Sequence, residues 1–166
     1  MKINNWAFFA TIFLFGIMQS AALDYLSLLG ARPDLLVLAV IFFSLYCEQP
    51  HGLKAALLAG VFRDITSNAV FGSYTFGFCL CALFLGRYGS NFYKQRITTQ
   101  ITLCACLYFA MSFIILFINS ALMKNAEIQF TVYFWIITRA AIYTACVSPL
   151  VFFVLAKIFR IRIRYA

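Results

Sequence analysis

The segment Arg32–Gly72 reads RPDLLVLAVIFFSLYCEQPHGLKAALLAGVFRDITSNAVFG, and it decides the fold because its polar residues separate long apolar runs. Pro33 and Asp34 come directly before a 13-residue uncharged run. Proline suits the first position of a helix, and a carboxylate in the first turn stabilises the positive helix end. The EQPHG sequence that follows, residues 48–52, predicts a turn. We therefore expect a hairpin of two short helices.

A stripe of small residues runs along the second arm of this hairpin. Gly52, Ala56, Gly60 and Asp64 recur every four residues and so share one face of a helix. In lipid, apolar side chains gain little by associating, and faces of small residues are a main route to tight helix packing. We expect this stripe to form a helix-packing or partner interface.

The composition excludes an ordinary soluble domain. The chain is 64% hydrophobic and 11% charged, with a mean hydropathy of +0.93, whereas soluble domains are about 45–50% apolar and about 25% charged. A spanning helix needs about 20 apolar residues, and no hydrophilic block interrupts such runs here. We predict one all-α polytopic transmembrane domain over residues 1–166. Its expected spans are 6–23, 34–47, 52–66, 72–88, 97–118 and 130–157, with a basic cytoplasmic tail over 158–166.

The first span has a second interpretation. Lys2, the apolar run 6–23 and the Ser20-x-Ala22 pattern also fit a secretory signal peptide. The run is longer than a typical signal core and further spans follow at once, so we expect it to be retained.

The distribution of basic residues predicts the orientation. With this set of spans, nine Lys and Arg residues fall on the side of the N-terminus and three on the other side. Cytoplasmic loops carry the excess of Lys and Arg, which predicts a multi-pass protein of the cytoplasmic membrane with both termini in the cytoplasm. Whether the short hairpin crosses the bilayer fully is left open.

Residues suited to catalysis or metal binding do not form a recognisable pattern. Neither Cys79/Cys81 nor Cys104/Cys106 makes a good metal clamp, because neighbours two apart on a helix point to nearly opposite sides. We expect the cysteines to be small buried hydrophobes and His51 to be a solvated turn residue. We predict no enzyme, no cofactor and no metal. The basic residues flank spans and form no soluble basic face, so the net charge of +8 does not predict a nucleic-acid partner.

Three groups of charged residues need a role. Arg63 and Asp64 are adjacent, and either form an interfacial pair with a snorkelling arginine or act inside the bundle. Arg139 lies nine residues into the last span, where charge is costly, and we expect it to face other helices and contact Asp64, a carbonyl or a partner. The tail is expected to bind anionic lipid or a partner through Lys157, Arg160, Arg162 and Arg164.

Three motifs point to a known family. RPDLL at residues 32–36 opens a span, Gly60-x-x-x-Asp64 closes the next, and Phe71-Gly72 opens another. This order resembles the MreD family of bacterial rod-shape-determining membrane proteins, as do the length, the short spans and the basic tail. The resemblance implies that Pro33 and Asp34 fix the start of the second helix. It also implies that Gly60 permits close packing, that Asp64 is the family's acidic residue and that Gly72 is the turn into the fourth span.

The resemblance also implies a function. It predicts a non-catalytic inner-membrane subunit of the machinery for lateral peptidoglycan synthesis, bound to the bitopic protein MreC. MreB, RodA and its transpeptidase are further expected partners, and self-association is left open. The implied fold is similar to the substrate-binding subunits of energy-coupling-factor transporters, which makes a vitamin-binding transporter subunit the alternative. A third class, a membrane enzyme acting on lipid-linked substrates, would need several acidic or histidine groups near one interface.

Overall fold

The apolar runs of the sequence form helices in a computed structural model, which describes residues 5–22, 33–47, 49–67, 69–89, 97–122 and 130–161. Within these residues the structure is all-helical. It consists of α1 (Asn5–Ile17, continued by a π-helical turn Met18–Ala22), α2 (Leu35–Tyr46), α3 (Gln49–Thr66), α4 (Ser73–Tyr88), α5 (Ile97–Leu122) and α6 (Phe130–Ile158).

Helix α2 is the centre of the bundle. Every residue of Leu35–Leu45 is buried, as expected of a helix that is apolar on all sides. The other five helices all contact it. With 12 residues it is about 18 Å long at 1.5 Å per residue, shorter than the roughly 30 Å hydrocarbon core. Its neighbours therefore separate it from the surroundings.

The longer helices lie around α2. Ile97–Ala121 and Val132–Ile158 are each long and apolar enough to cross a membrane, whereas Trp6–Ala21 and Leu35–Tyr46 are apolar but shorter. α6 contains Pro149. α3 packs mainly on α4. At the end where α2 finishes, the Gln100 amide donates to the Tyr46 hydroxyl over 2.9 Å and ties α5 to the core.

The observed bounds correct several predicted ones. Pro33 lies before the helix, not at its first position, because Asp34 is the cap residue with extended backbone. The residues after Glu48 form the first turn of α3, not a separate turn, since proline is tolerated there. The first span is shorter as an α-helix, because a π-helical turn replaces its last residues. α5 continues to Leu122, four residues beyond the prediction.

A glycine makes the closest helix contact possible. A Cβ atom built on Gly60 of α3 would lie 2.4 Å from the Cα of Thr75 and 2.9 Å from its Oγ1. No side chain larger than hydrogen fits there without a backbone shift. Gly77 of α4 differs, since its nearest neighbour is the Met111 side chain at 3.5 Å, an ordinary contact.

These two glycines give a matched test. We expect Gly60→Ala to lower the free energy of unfolding by about 1 kcal/mol or more, because overpacking against backbone costs about 1–3 kcal/mol. Gly77→Ala should be neutral or stabilising by up to about 1 kcal/mol, because alanine favours a helix over glycine. Unfolding of the purified chain in detergent, followed by circular dichroism, measures both. Equal effects at the two positions would contradict the close contact.

Candidate functional site

Polar side chains collect at one end of the bundle, where α2 and α4 begin and α3 ends. We call it the polar end and define it by Gln19, Asp34, Arg63, Asp64 and Asn119. Helix starts leave backbone N–H groups without partners inside the helix, and in apolar surroundings each such group needs an acceptor. The polar end supplies these acceptors.

The start of α2 is capped by three different parts of the chain. The Asp34 carboxylate accepts from the Val37 N–H over 3.1 Å, and the Gln19 side chain accepts from the Leu36 N–H over 3.2 Å. The Asp34 N–H donates to the Thr144 hydroxyl of α6 over 3.1 Å. Asp34 and Thr144 are both buried. These bonds hold the central helix to α1 and α6.

The start of α4 is capped by Asp64 from the end of α3. Its two carboxylate oxygens accept from the backbone N–H groups of Tyr74 and Thr75, at 3.0 and 3.1 Å. The Thr75 hydroxyl donates to the same carboxylate over 2.6 Å. Gly72 precedes the helix with φ +96°, a conformation that side chains rarely adopt. The Asn119 side chain accepts from the Val70 N–H over 3.0 Å, which adds α5 to this corner.

An ion pair joins the two arms of the hairpin. The Arg63 guanidinium nitrogen lies 3.8 Å from the Asp34 carboxylate oxygen, and the exposed fractions of the two side chains are 29% and 5%. The guanidinium carbon lies 5.3 Å from the centre of the Tyr74 ring, within cation–π range. The Arg63 Nε has no hydrogen-bond partner among the described residues. The Arg63 guanidinium can therefore donate a further hydrogen bond through Nε.

A cavity of about 190 Å³ adjoins this ion pair. It is partly open and lies between the hairpin and the outer helices α4, α5 and α6. Its wall combines charged, hydroxyl and apolar side chains: Asp34, Arg63, Tyr74, Tyr108, Met111, Ser112, Ile115, Tyr133, Ile136, Ile137 and Ala140.

The small-residue stripe packs against helices of the same chain. A Cβ on Gly52 would lie 2.8 Å from the Ser44 Cα of α2, Ala56 is fully buried, and Gly60 meets Thr75 of α4. Asp64 completes the stripe as the cap of α4. A partner has no access to these residues in this arrangement, so the predicted partner interface is replaced by internal packing.

The charged residues pair differently from the predictions. Arg63 pairs with Asp34 and not with its neighbour Asp64. The Arg139 side chain is exposed, with its guanidinium carbon 6.0 Å from the Trp135 ring centre. The exposure contradicts the expectation that Arg139 faces other helices of the bundle, whereas its expected contact with Asp64, a carbonyl or a partner stays a prediction. An α-helical turn separates Trp135 from Arg139, so the ring one turn earlier can shield the charge.

The remaining predicted residues have varied surroundings. Cys81 and Cys104 are buried, but Cys106 and Cys146 are exposed, which corrects the expectation that nearly all cysteines are buried. The ring of His51 packs against Phe8 at 6.2 Å between centres, so it is not a purely solvated residue. Among the described residues no three His, Cys, Asp or Glu side chains could hold a metal ion. Lys157 and Arg160 are exposed at the end of α6. Arg162, Arg164 and the segments 23–32 and 123–129 between predicted spans lie outside the described residues.

Sequence reasoning missed the Asp34–Arg63 pair, although a signal was present. A helical hairpin places the start of its first arm beside the end of its second arm. Asp34 opens the first arm and Arg63 closes the second, so opposite charges at these positions predict a contact. Gln19, Asn119 and Thr144 carried no such signal, because their helices are distant in sequence from the groups that they bind.

Comparison with protein families identifies the chain. A family model described as rod shape-determining protein MreD matches residues 1–160. The chain belongs to the MreD family. It is accordingly a membrane protein of a shape-determining family not known for enzymatic activity. Neither the curated proteins nor the solved structures gave a match.

The described motif residues lie at helix starts and at one helix corner. Pro33 and Asp34 stand at the start of α2, and Gly60, Asp64 and Gly72 form the corner where α3 meets α4. Each of them serves a helix start or a close helix contact. In this MreD chain the motif positions thus stabilise helix starts and helix contacts. The cavity adjoins one of them, Asp34.

Removal of the Asp64 carboxylate should loosen the α3–α4 corner. Hydrogen bonds to charged groups contribute about 1.5–3 kcal/mol, so we expect Asp64→Ala to lower the free energy of unfolding by about 2 kcal/mol and Asp64→Asn by about half as much. Thr66→Ala is the control, because Thr66 is exposed and donates only to carbonyls of its own helix. Unfolding in detergent measures the three variants. A fully stable Asp64→Ala protein would refute the capping role.

A double-mutant cycle tests the ion pair. Asp34→Asn retains the helix cap but removes its charge, and Arg63→Gln removes the opposite charge. We expect the double variant to be more stable than the sum of the single effects predicts, with a coupling of about 0.5–3 kcal/mol. The matched cycle of Asp64→Asn and Arg139→Gln should be additive within about 0.5 kcal/mol. Additivity in the first cycle would show that the two charges do not interact.

Proposed function

We propose that this chain is a non-catalytic, multi-pass subunit of the bacterial machinery for lateral peptidoglycan synthesis, and that it determines rod shape by binding an MreC-like bitopic protein and scaffolding other membrane proteins. The observation that carries the proposal is the family match over residues 1–160. The match supports a role in rod-shape determination, and the apolar helices support a place in the membrane.

The proposal includes the topology and the wider assembly. The bundle crosses the inner membrane about six times, in a fold similar to substrate-binding subunits of energy-coupling-factor transporters, with both termini in the cytoplasm. RodA, its transpeptidase and MreB are further partners, and the chain can self-associate. Anionic lipids bind the basic tail, since each basic group near such a surface contributes about 1 kcal/mol. Nucleic acid has no place in this function.

A cleft between α1 and α3 supplies the surface for the bitopic partner. It has a volume of about 410 Å³ and an almost wholly apolar wall that includes Phe9, Ala10, Phe13, Leu58 and Phe62. Phe9 and Phe13 are exposed, and no charged side chain among the described residues lines the cleft. A single apolar helix fits these properties, because helices in lipid associate through shape and close packing. A bitopic protein contributes one such helix.

The cavity at the polar end does not favour the transporter alternative. Drug-sized ligands occupy pockets of about 300–1,000 Å³, whereas this cavity measures about 190 Å³. The larger α1–α3 cleft lacks the convergent polar groups that orient such ligands. The geometry therefore supports the shape-determining subunit.

A substitution that fills the cleft should weaken partner binding. Ala10 is exposed in the cleft, so Ala10→Trp adds a large ring without removing a core contact. We expect recovery of an MreC-like partner, co-expressed and purified in mild detergent, to fall about tenfold, which corresponds to about 1.4 kcal/mol. Expression level and helix content should not change.

The control places the same ring elsewhere. Cys146 is exposed on α6, and Cys146→Trp should leave partner recovery unchanged. Equal losses in both variants would show a general effect of added bulk and would refute the cleft as the partner surface. Failure of the wild-type chain to recover an MreC-like partner, together with co-purification of an ATPase pair and a bound vitamin, would refute the function itself.

A further inference from the structure

The cavity at the polar end has a chemistry that the proposed function does not use. Scaffolding needs packed surfaces, yet the wall of this cavity carries a carboxylate from Asp34, a guanidinium from Arg63 and the hydroxyl groups of Tyr74, Tyr108 and Ser112. Charged groups in an apolar bundle are costly and mark functional sites by default. The question is which ligand suits this set.

The charges select the class of ligand. Asp34 and Arg63 carry opposite charges with the closest atoms 3.8 Å apart. An anion alone would be attracted by Arg63 and repelled by Asp34, and a cation alone would meet the reverse. A molecule that carries both charges, a few atoms apart, can align antiparallel to the pair so that each charge faces its opposite.

The unused hydrogen-bonding capacity fits such a ligand. The Arg63 Nε lacks a partner among the described residues, and the Asp34 oxygen that does not cap α2 lies 3.8 Å from the Arg63 guanidinium nitrogen. An anionic group can accept from the guanidinium, and an ammonium group can donate to the carboxylate. The faces of tyrosine rings also attract ammonium groups, and Tyr74, Tyr108 and Tyr133 all line the cavity.

The volume limits the size of the ligand. The volume of about 190 Å³ lies below the roughly 300–1,000 Å³ of pockets for drug-sized ligands. The space therefore suits a small molecule. Small amino acids and the phosphoethanolamine group are zwitterions of this size.

We propose that the cavity beside the Asp34–Arg63 pair binds a small zwitterion, with its ammonium group at Asp34 and the tyrosine rings and its anionic group at Arg63. The same chemistry is available from a free solute and from the head group of a zwitterionic lipid. The inference does not rest on the protein partner, so it and the proposed function succeed or fail in separate experiments.

The first experiment uses the full-length chain in dodecyl maltoside, a detergent without charge. Isothermal titration calorimetry with O-phosphoethanolamine should show saturable binding, whereas inorganic phosphate and ethylammonium chloride at the same concentration should not. The second experiment uses nanodiscs that contain equal amounts of phosphatidylethanolamine and phosphatidylglycerol. Native mass spectrometry of the released chain should show retained phosphatidylethanolamine if a lipid head group is the source. Binding in the first experiment alone identifies a free solute.

The variants separate this site from other contacts. Asp34→Asn and Arg63→Gln should each weaken binding by about tenfold or more. Ser112→Leu should do the same by filling the cavity while it leaves the ion pair intact, which keeps the test decisive if a charge variant fails to fold. Arg139→Gln is the control, because Arg139 does not line the cavity. The proposal is wrong if neither probe binds, if phosphate or ethylammonium alone binds equally well, or if Ser112→Leu binds like the wild type.

Discussion

Backbone N–H groups at a helix start need hydrogen-bond acceptors, and inside an apolar bundle the protein itself must supply them, here largely through side chains. This requirement organises the polar end of the molecule. Asp34 and Gln19 serve the start of α2, and Asp64 serves the start of α4. Gln19 and Asp64 come from other helices than the N–H groups that they bind, so these bonds also fix the position of one helix against another. Some of the hydrogen bonds that cap helix starts therefore also hold the tertiary structure together.

The close contact at Gly60 and the Asp64 cap act together. Asp64 lies one helical turn after Gly60 on the same face of α3. The glycine lets α4 approach until the Thr75 backbone is in contact, and the carboxylate then reaches the Tyr74 and Thr75 N–H groups. A larger residue at position 60 would separate the helices and lengthen these bonds. The four-residue spacing thus places the small residue and the acid on one face of α3, so that close approach and capping occur at the same contact.

Much of the fold could be predicted from the sequence, because apolar runs and the polar residues between them indicate where each single helix begins and ends. The helical hairpin, the start of α2 beside Asp34 and the packing role of the Gly60 stripe all follow from local pattern. Local pattern does not predict which helix covers a given face. Local pattern thus leaves open whether the stripe meets a helix of the same chain or a partner, and it places Arg139 towards other helices, whereas in the structure α2 and α4 cover the stripe and Arg139 is exposed. The cavity combines residues from four helices with the cap residue of α2, and no local pattern reveals such a set.

The enclosure of α2 has a consequence for how the chain is made. A helix of 12 residues is too short to span a bilayer, and the N–H of its cap residue Asp34 donates to Thr144 of α6. During synthesis α2 therefore leaves the ribosome long before its final neighbour exists. The Asp34 N–H can bond to Thr144 only after α6 has been synthesised. The order of translation thus makes α6 the segment that completes the hydrogen bonding at the start of α2.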